Sequence, residues 1–211
     1  MHALNITYNN NESKAISPSK IVCIGRNFAA HIEELNNTTP SEPVIFIKPN
    51  SAISNTLYTH PKTIIHYETE LVFMVENNQF SGVGVGLDLT KREVQQDLKE
   101  KGLPWERAKA FDHSAVLSDL VSLQGRDISK LWLRLFINNE LKQSGGVDLM
   151  LHKPESLLEE VTSFMSMQNE DLLMTGTPSG VGPVKLDDVF VAQVLHGDEL
   201  IASATWEAVS S

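Results

Sequence analysis

The chain has 211 residues, 41% of them hydrophobic, and carries a formal net charge of -10 with a pI near 5.1. The length suits one large domain or at most two small ones, and the acidic balance argues against nucleic-acid or anionic-membrane partners, which need a concentrated basic surface. No apolar run approaches the roughly 20 residues needed to span a bilayer. Because the first residues also lack the basic-then-apolar order of a signal peptide, we expect a cytoplasmic protein.

The predicted secondary structure is mostly β. Residues 1–18 predict a short strand followed by a polar turn. Short apolar runs bounded by turn residues predict strands at 20–25 ("KIVCIG"), 43–48 ("PVIFIK"), 71–75, 83–89, 171–175 and 189–195, and "LWLRLFINNEL" (131–141) adds a strand ending in a turn at Asn138-Asn139. Helices are predicted at 28–37 ("FAAHIEELNN"), 90–102 ("TKREVQQDLKEKG") and 154–165 ("PESLLEEVTSFM").

Three local signals refine these elements. Thr90 and Glu93 have capping-box spacing at the start of the second helix, and Pro154 lies in the first turn of the third. Cys23 is the only cysteine, so the chain can form no internal disulfide and offers no cysteine metal cluster. Its place in an apolar strand predicts a buried small hydrophobic residue rather than a nucleophile.

Carboxylates gather around two predicted strands. "HYETELVFMV" (66–75) places Glu68 and Glu70 two residues apart, hence on the same side of a strand, where like charges resist burial unless a cation neutralises them. In "SGVGVGLDLT" (81–90), Asp88 shares a face with three glycines, which predicts one bare wall of a cavity leading to a third carboxylate. The alternative is a curved strand whose Asp caps the next helix.

This carboxylate set predicts the class of metal. Three carboxylates without cysteine suit Mg²⁺ or Mn²⁺ better than zinc. His66 has the same strand parity as Glu68 and Glu70, so a site for iron or zinc built from His66 and carboxylates is the alternative.

Two further groups of side chains could perform acid–base chemistry. His31 and Glu34 lie three residues apart on a predicted helix, where the carboxylate can fix the imidazole tautomer and strengthen it as a base toward water. Lys109, in "LPWERAKAFDH", lies between aromatic residues and could stabilise an enolate or a carboxylate. For both groups, and for Gln95 on the helix after Asp88, the alternative is a solvated surface side chain.

The loop "MTGTPSGVGP" (174–183) is rich in glycine and hydroxyl groups. It lacks the lysine and the spacing of a P-loop, and "GVGVGLD" does not match the dinucleotide-binding pattern, so nucleotide binding is disfavoured. Its backbone N–H groups and threonine hydroxyls could instead hold a small carboxylate.

Six segments, taken in order, closely resemble the signature segments of the fumarylacetoacetate hydrolase family, and most of all its acylpyruvase and oxaloacetate decarboxylase branch. They are "GRNFAAHIEE", "PVIFIKPNSAI", "HYETELVFMV", "GLDLTKREVQ", "KGLPWERAKAFD" and "LLMTGTPSGVGP". The resemblance runs from about residue 19 to about residue 194. It implies an α+β, β-rich fold, a mixed β-sandwich roll with a few short helices, as a single catalytic domain over residues 1–211 that is usually a homodimer.

The resemblance also implies roles for particular side chains. Mg²⁺ or Mn²⁺ would be bound by Glu68, Glu70 and Asp88. His31 and Glu34 would form a water-activating pair on a lid helix. The oxyanion would be stabilised by Gln95 and Lys109, and the substrate would be held by Arg26, Lys48 and Thr177.

The sequence departs from the family pattern at three places. Leu186-Asp187-Asp188 stands where Gly-Asp is common, "HGDELIASATWEAV" replaces a glycine-rich turn, and "HSAVLS" follows "AFD" in place of a small-residue and proline turn. These departures bear on dimer contacts and the pocket rim, and none falls on an implied ligand or catalytic residue.

The activity that the resemblance implies first is hydrolysis of the carbon–carbon bond of an acylpyruvate, such as acetylpyruvate or fumarylpyruvate, to pyruvate and a carboxylic acid. Decarboxylation of oxaloacetate, or keto–enol tautomerisation or isomerisation of a related diacid, would use the same site. The expected partner is a small β-keto acid. The alternatives of another class are a non-catalytic β-sandwich module that binds Ca²⁺ and a cupin-like iron oxygenase.

Overall fold

The computed structural model describes residues 2–8, 11–35, 38, 40–60 and 62–211. In chain order the strands are β1 (Leu4–Thr7), β2 (Ser13–Ile16), β3 (Lys20–Gly25), β4 (Val44–Pro49), β5 (Ile53–Ser54), β6 (Leu57–Thr59), β7 (Ile65–Tyr67), β8 (Thr69–Glu76), β9 (Gln79–Asp88), β10 (Thr90–Lys91), β11 (Ala115–Leu117), β12 (Leu120–Ser122), β13 (Leu131–Ile137), β14 (Glu140–Gly146), β15 (Leu172–Met174), β16 (Gly182–Pro183), β17 (Val189–His196) and β18 (Glu199–Ser210). The α-helices are α1 (Ala29–Glu34), α2 (Arg92–Glu100), α3 (Glu106–Lys109) and α4 (Pro154–Phe164). Within these described ranges, no helix is long and apolar enough to cross a membrane.

The described strands form three sheets. The largest has ten strands in the order β2-β1-β12-β9-β8-β15-β3-β4, with β11 pairing with β9 and β5. A second sheet has the order β14-β13-β17-β18-β6, and a third the order β10-β7-β16. The small third sheet contains the residues just before Glu68 and just after Asp88, so it borders the predicted carboxylate site.

Strands β8 and β9 form the centre of the largest sheet. β8 is buried along nearly its whole length because β15 pairs with it on one side and β9 on the other. The antiparallel register places Glu70 opposite Gly86, and the carbonyl of Glu68 accepts the N–H of Asp88 at 2.8 Å. This register brings the three predicted carboxylates to one end of the strand pair.

Apolar side chains fill the space between the two larger sheets. This core includes Phe73 and Val85 from the large sheet and Leu133 and Phe190 from the five-stranded sheet. A separate cluster forms where α4 packs its apolar stripe against β3 and β15. β8 contributes to both clusters, with Phe73 in the first and Val75 in the second.

Most predicted elements are present. β3 covers the predicted 20–25, and β13 and β14 flank the predicted turn, where Asn138 and Asn139 have positive φ angles of 51° and 67°. Cys23 is fully buried, as predicted. The helix predicted at 28–37 corresponds to the shorter α1, and its last two predicted residues lie outside the described residues.

Two predictions about secondary structure are incomplete. The segment 1–18 holds a second strand as well as the predicted one, and β1 and β2 pair antiparallel as a hairpin. The twelve-residue strand β18 is not predicted, because charged and small residues interrupt its apolar pattern while β17 and β6 pair with it on both sides.

The capping box predicted for Thr90 and Glu93 is wrong. Thr90 belongs to β10 and pairs with His66 of β7, and α2 begins after Lys91 without a side-chain cap. The Thr90 hydroxyl instead accepts a hydrogen bond from Lys109 Nζ at 2.7 Å. The residue therefore supports the carboxylate site and not the helix.

The glycines of β9 do not line a cavity, contrary to the prediction. A Cβ atom added at Gly82 would lie 2.8 Å from Ile6, and one at Gly84 would lie 2.7 Å from the Ser118 hydroxyl. Neighbouring side chains therefore fill the space beside these glycines. The glycines are needed because side chains of the segments packed beside β9 approach its backbone at close range.

Asp171 joins the start of β3 to the start of β15. Its buried carboxylate accepts hydrogen bonds from the Ser19 backbone N–H (2.9 Å), the Ser19 hydroxyl (2.7 Å) and the Gln168 N–H (2.8 Å), and it forms an ion pair with Lys20. Burial alone would raise the pKa of Asp171, but the hydrogen bonds from Lys20 and Ser19 outweigh burial and hold it below its usual range.

We expect Asp171→Asn to lower the free energy of unfolding by about 3 kcal/mol at neutral pH, because Lys20 loses its buried partner. Because the folded-state pKa lies below the unfolded value of about 3.9, ionised Asp171 stabilises the fold above that value, and the contribution is lost as pH falls through the folded pKa. The difference from wild type in urea unfolding should therefore shrink in acid. Glu140→Gln, at an exposed ion pair, is the control and should unfold like wild type. Equal stability of Asp171→Asn and wild type at neutral pH would contradict this assignment.

Candidate active site

Three buried carboxylates meet at the end of β8 and β9. Glu70 lies in β8, Asp88 ends β9, and Glu68 lies between β7 and β8. Their potential ligand oxygens lie within 4.8 Å of one another, and each residue is at most 7% exposed. Among the residues that the structure describes, no histidine or cysteine joins this group, so His66 is not placed as a fourth ligand.

The ammonium group of Lys109 bridges two of these carboxylates. Its Nζ lies 2.8 Å from Glu68 Oε2 and 2.5 Å from Asp88 Oδ2. The short helix α3 carries Lys109 into the site, and the ring of Phe46 covers the ammonium with its centroid 5.1 Å from Nζ. Such a cation–π contact favours the charged amine.

Two more cations contact the carboxylates. Lys48 is fully buried, its Nζ lies 2.8 Å from Asp88 Oδ1, and it donates to the backbone carbonyl of Lys109. Lys48 therefore contacts Asp88 from a fully buried position, and its substrate-binding role implied by the family resemblance stays a prediction. Arg92 approaches from α2, with Nη2 2.5 Å from Glu68 Oε1.

The two glutamates differ in charge environment. Burial would raise the pKa of Glu68, but Lys109 and Arg92 outweigh it and hold that pKa far below its usual range. For Glu70, burial together with the charges of Asp88 and Glu68 raises the pKa well above its usual range. Within the described part of the chain, no lysine or arginine forms an ion pair with Glu70. The cluster thus lacks positive charge at this carboxylate.

The glycine-rich loop closes one side of the site. The N–H of Gly176 donates to Glu70 Oε2 at 2.8 Å. Gln143 fastens the loop to β8, because its Nε2 donates to Thr177 Oγ1 at 2.8 Å and its Oε1 accepts the Thr69 N–H at 3.0 Å. The Thr177 hydroxyl is therefore held in place beside the carboxylates.

Helix α1 carries the predicted histidine–glutamate pair. His31 Nδ1 lies 3.2 Å from Glu34 Oε2, and Glu34 Oε1 accepts the N–H of Gly180 at 2.9 Å. The glutamate thus links α1 to the glycine-rich loop. His31 is buried and borders the same pocket as Glu68.

A narrow pocket opens in front of Glu68. Besides this carboxylate and His31, it is lined by Gln95, Trp105 and four cationic side chains, namely Arg26, Arg92, Lys99 and Lys109. Arg26 has a φ of 58°, in the left-handed region that is unfavourable for arginine, and its buried Nε has no hydrogen-bond partner among the described residues. The pocket combines one carboxylate with an excess of positive charge.

The sequence model of the fumarylacetoacetate (FAA) hydrolase C-terminal family matches residues 20–206. The chain belongs to the fumarylacetoacetate hydrolase family. Family membership confirms the resemblance found in the sequence. It also argues against the alternative of a cupin-like iron oxygenase. It favours an enzyme over a non-catalytic calcium-binding module.

Two individual relatives and one solved structure show which members of the family this chain is similar to. The chain is 37% identical to the oxaloacetate tautomerase YcgM of Escherichia coli (strain K12), with 81% of this chain and 85% of the relative covered. It is 34% identical to the mitochondrial oxaloacetate tautomerase of Saccharomyces cerevisiae, with 89% and 91% covered. The crystal structure of fumarylpyruvate hydrolase from Pseudomonas aeruginosa in complex with Mn²⁺ and pyruvate superposes with a TM-score of 0.89 at 26% identity, covering 100% of this chain and 97% of that one. This similarity confirms the predicted β-rich fold.

The carboxylate group fits a divalent cation. All of its potential ligand atoms are oxygens, which Mg²⁺ and Mn²⁺ prefer. Lys48 Nζ lies 2.8 Å from Asp88 Oδ1, and Glu68 pairs with Arg92 and Lys109, whereas Glu70 has no cationic partner among the described residues. Glu70 is therefore the carboxylate at which a divalent cation would add the missing positive charge.

Three residues at the site escape sequence reasoning. Arg92 and Lys99 could have been found from helical spacing, since they lie three residues before and four residues after Gln95 and so share its face of α2. Gln143 gives no such signal, because its contacts with Thr69 and Thr177 join residues 74 and 34 positions apart in sequence.

We expect Glu70→Gln, which keeps the size of the side chain and removes its charge, to abolish most cation binding. Mn²⁺ affinity measured by titration calorimetry should fall roughly 100-fold or more, since even residues that only orient metal ligands contribute about 10–100-fold. The melting temperature without metal should not fall, because a neutral amide avoids the burial of a third carboxyl group beside Asp88 and Glu68, the arrangement that raises the pKa of Glu70. Glu76→Gln, at the far end of β8, is the control and should bind Mn²⁺ like wild type. Unchanged Mn²⁺ binding by Glu70→Gln would rule out this group as the cation site.

Proposed function

We propose that the protein is a Mg²⁺- or Mn²⁺-dependent tautomerase that interconverts the enol and keto forms of a β-keto diacid of the oxaloacetate type. The observation that carries this proposal is the identity of 37% and 34%, over more than four-fifths of the chain, to two oxaloacetate tautomerases. These relatives favour the tautomerisation alternative of the sequence analysis over acylpyruvate hydrolysis.

The charge of the pocket suits a dianionic substrate. Four cationic side chains line it, and two of them, Arg92 and Lys109, already contact Glu68. The other two leave positive charge for the substrate. A diacid such as oxaloacetate carries two negative charges to meet it, whereas acetylpyruvate, with one carboxylate, carries only one.

The reaction needs a proton carrier and a positive environment. Tautomerisation moves one proton from the enol hydroxyl to the neighbouring carbon, so no water is consumed and no bond between heavy atoms breaks. His31, oriented by Glu34, borders the pocket and is of the residue type that accepts and returns protons near neutral pH. We assign it the role of proton carrier.

The remaining roles follow from contacts. Lys109, with Gln95 beside it on the pocket wall, would stabilise negative charge on the substrate oxygen. Arg26 would hold a substrate carboxylate, and Thr177, fixed by Gln143, would position the glycine-rich loop. A divalent cation held by Glu68, Glu70 and Asp88 would supply further positive charge to the substrate's carboxylate and keto oxygens.

Acylpyruvate hydrolysis is the second candidate. The structural similarity to a fumarylpyruvate hydrolase that binds Mn²⁺ and pyruvate favours it, as does the histidine–glutamate pair, which could activate a water molecule. Decarboxylation of oxaloacetate would require no activated water. His31→Ala should therefore stop hydrolysis while decarboxylation largely persists.

We further propose that residues 1–211 act as one catalytic domain and that the protein is a homodimer, as the family resemblance implies. The cytoplasmic location stays a prediction. Of the two tautomerases compared, the yeast one is named as mitochondrial.

The direct test supplies the oxaloacetate enol, acetylpyruvate and fumarylpyruvate side by side with Mg²⁺ and with Mn²⁺. We expect the absorbance of the oxaloacetate enol to fall faster than it does without the protein. Little pyruvate should be released from any of the three substrates. Faster release of pyruvate from an acylpyruvate than conversion of the oxaloacetate enol would assign the protein to hydrolysis.

We expect His31→Asn to lower kcat for the oxaloacetate enol by about 100-fold, the contribution typical of a positioned proton carrier. Mn²⁺ affinity should be unchanged, because His31 is not in the carboxylate group. His113→Asn is the control: His113 is exposed and has a φ of 64°, which asparagine tolerates, so its activity should equal that of wild type. Full activity of His31→Asn would exclude His31 as the proton carrier.

A further inference from the structure

Helix α2 presents one polar stripe to the pocket. Arg92, Gln95 and Lys99 are spaced three and four residues apart, so they lie on one face, and all three line the pocket in front of Glu68. Arg92 Nη1 donates a hydrogen bond to Gln95 Oε1 at 2.8 Å. Lys99 is half-buried one turn further on, with Nζ 5.1 Å from the ring centroid of Trp105.

The positive charge of this stripe is only partly neutralised. Arg92 pairs with Glu68, and Lys109 pairs with Glu68 and Asp88. In the part of the chain that the structure describes, neither Lys99 nor Arg26 lies within ion-pair distance of a carboxylate. Two cations therefore face the same pocket without an ion-pair partner among the residues that the structure describes.

The surroundings of both groups show that this charge is uncompensated. Burial, with the charges of Arg26 and Arg92, lowers the pKa of Lys99 to about 8. The buried Nε of Arg26 has no hydrogen-bond partner among the described residues. A bound anion would relieve both conditions, because it adds negative charge beside Lys99 and an acceptor beside Arg26.

The position of Lys99 sets where that anion would lie. Lys99, like Leu35, Arg92 and Gln95, borders both the narrow pocket in front of Glu68 and an outer cavity of about 390 Å³. Of these four residues, Lys99 is the cation that has no ion pair with a described carboxylate. A substrate whose keto-acid end faces the carboxylate group would extend its other end toward this outer cavity. Lys99 lies at the junction of the two spaces.

We propose that Lys99 is a specificity-determining residue that binds the distal carboxylate of the diacid substrate, with Arg26 on the same pocket wall. This inference rests on the proposed function and deepens it, because it names the residue that separates diacids from monocarboxylic keto acids. The lysine recognises the far end of the substrate and takes no part in the proton transfer.

The test compares two ligands that differ only in the distal carboxylate. (S)-Malate and (S)-lactate share the same hydroxy-acid end and are not turned over by a tautomerase. Titration calorimetry with the Mg²⁺-loaded protein should show that wild type prefers malate. In Lys99→Met this preference should fall roughly tenfold or more, the loss expected for a hydrogen bond to a charged group, while lactate affinity is unchanged.

Two further variants separate recognition from a structural role. Lys101→Met removes an exposed lysine of α2's C-terminal end that pairs with Asp97, and it should keep the malate preference of wild type. Lys99→Arg should restore most of the preference, because it returns the charge. In kinetics with the oxaloacetate enol, Lys99→Met should raise KM and leave kcat near the wild-type value.

Equal weakening of malate and lactate in Lys99→Met, or an unchanged preference for malate, would overturn the proposal, since the lysine would then only support Trp105. The proposed function fails separately. If the malate preference depends on Lys99 but the oxaloacetate enol is not turned over, the diacid subsite stands and the tautomerase assignment falls. If the enol is turned over but the preference for malate does not depend on Lys99, the tautomerase assignment stands and the diacid subsite falls.

Discussion

The ammonium group of Lys109 is the interaction on which the site depends. Glu68 and Asp88 are buried at the end of the two central strands, and Lys109 bridges them at 2.8 and 2.5 Å. Lys48 and Arg92 each neutralise one of the two as well, but only Lys109, among the described residues, contacts both. The same ammonium group donates its third hydrogen bond to the Thr90 hydroxyl. This explains why Thr90 lies in β10 and does not cap α2. Among the described residues no cation pairs with Glu70, and this missing positive charge makes the cluster suited to a divalent cation.

The site concentrates positive charge within an acidic chain. The formal net charge is -10, yet four cationic side chains converge on one narrow pocket. A local positive centre in a negative molecule attracts small anions while the surface as a whole repels polyanions. This arrangement agrees with the exclusion of nucleic-acid partners and with a small dianionic acid as substrate. Cation binding and substrate binding are assigned to different parts of the site: the carboxylate group lies at its base, and the cationic side chains lie around the pocket.

Local patterns in the sequence predict much of this arrangement, and long-range contacts limit the rest. The two-residue spacing of Glu68 and Glu70 predicted that these carboxylates lie together, and the three-residue spacing of His31 and Glu34 predicted that these two side chains interact. Both predictions were possible because the signals depend only on residues close in sequence. The buried position of Lys48 could not be read from β4, since the four residues before it are all apolar and their pattern does not reveal which face the rest of the fold covers. The glycines of β9 were predicted to leave one wall of a cavity bare, and this was wrong because the side chains that fill the space beside them come from distant segments.

The central claim is that Glu68, Glu70 and Asp88 together hold one divalent cation. The most direct measurement is a crystal structure of the protein soaked in Mn²⁺, with anomalous diffraction used to locate the metal. The account predicts a single strong anomalous peak within bonding distance, about 2.0–2.6 Å, of an oxygen from each of the three carboxylates. No peak at this group, or a peak ligated by His66 or by surface carboxylates instead, would contradict it.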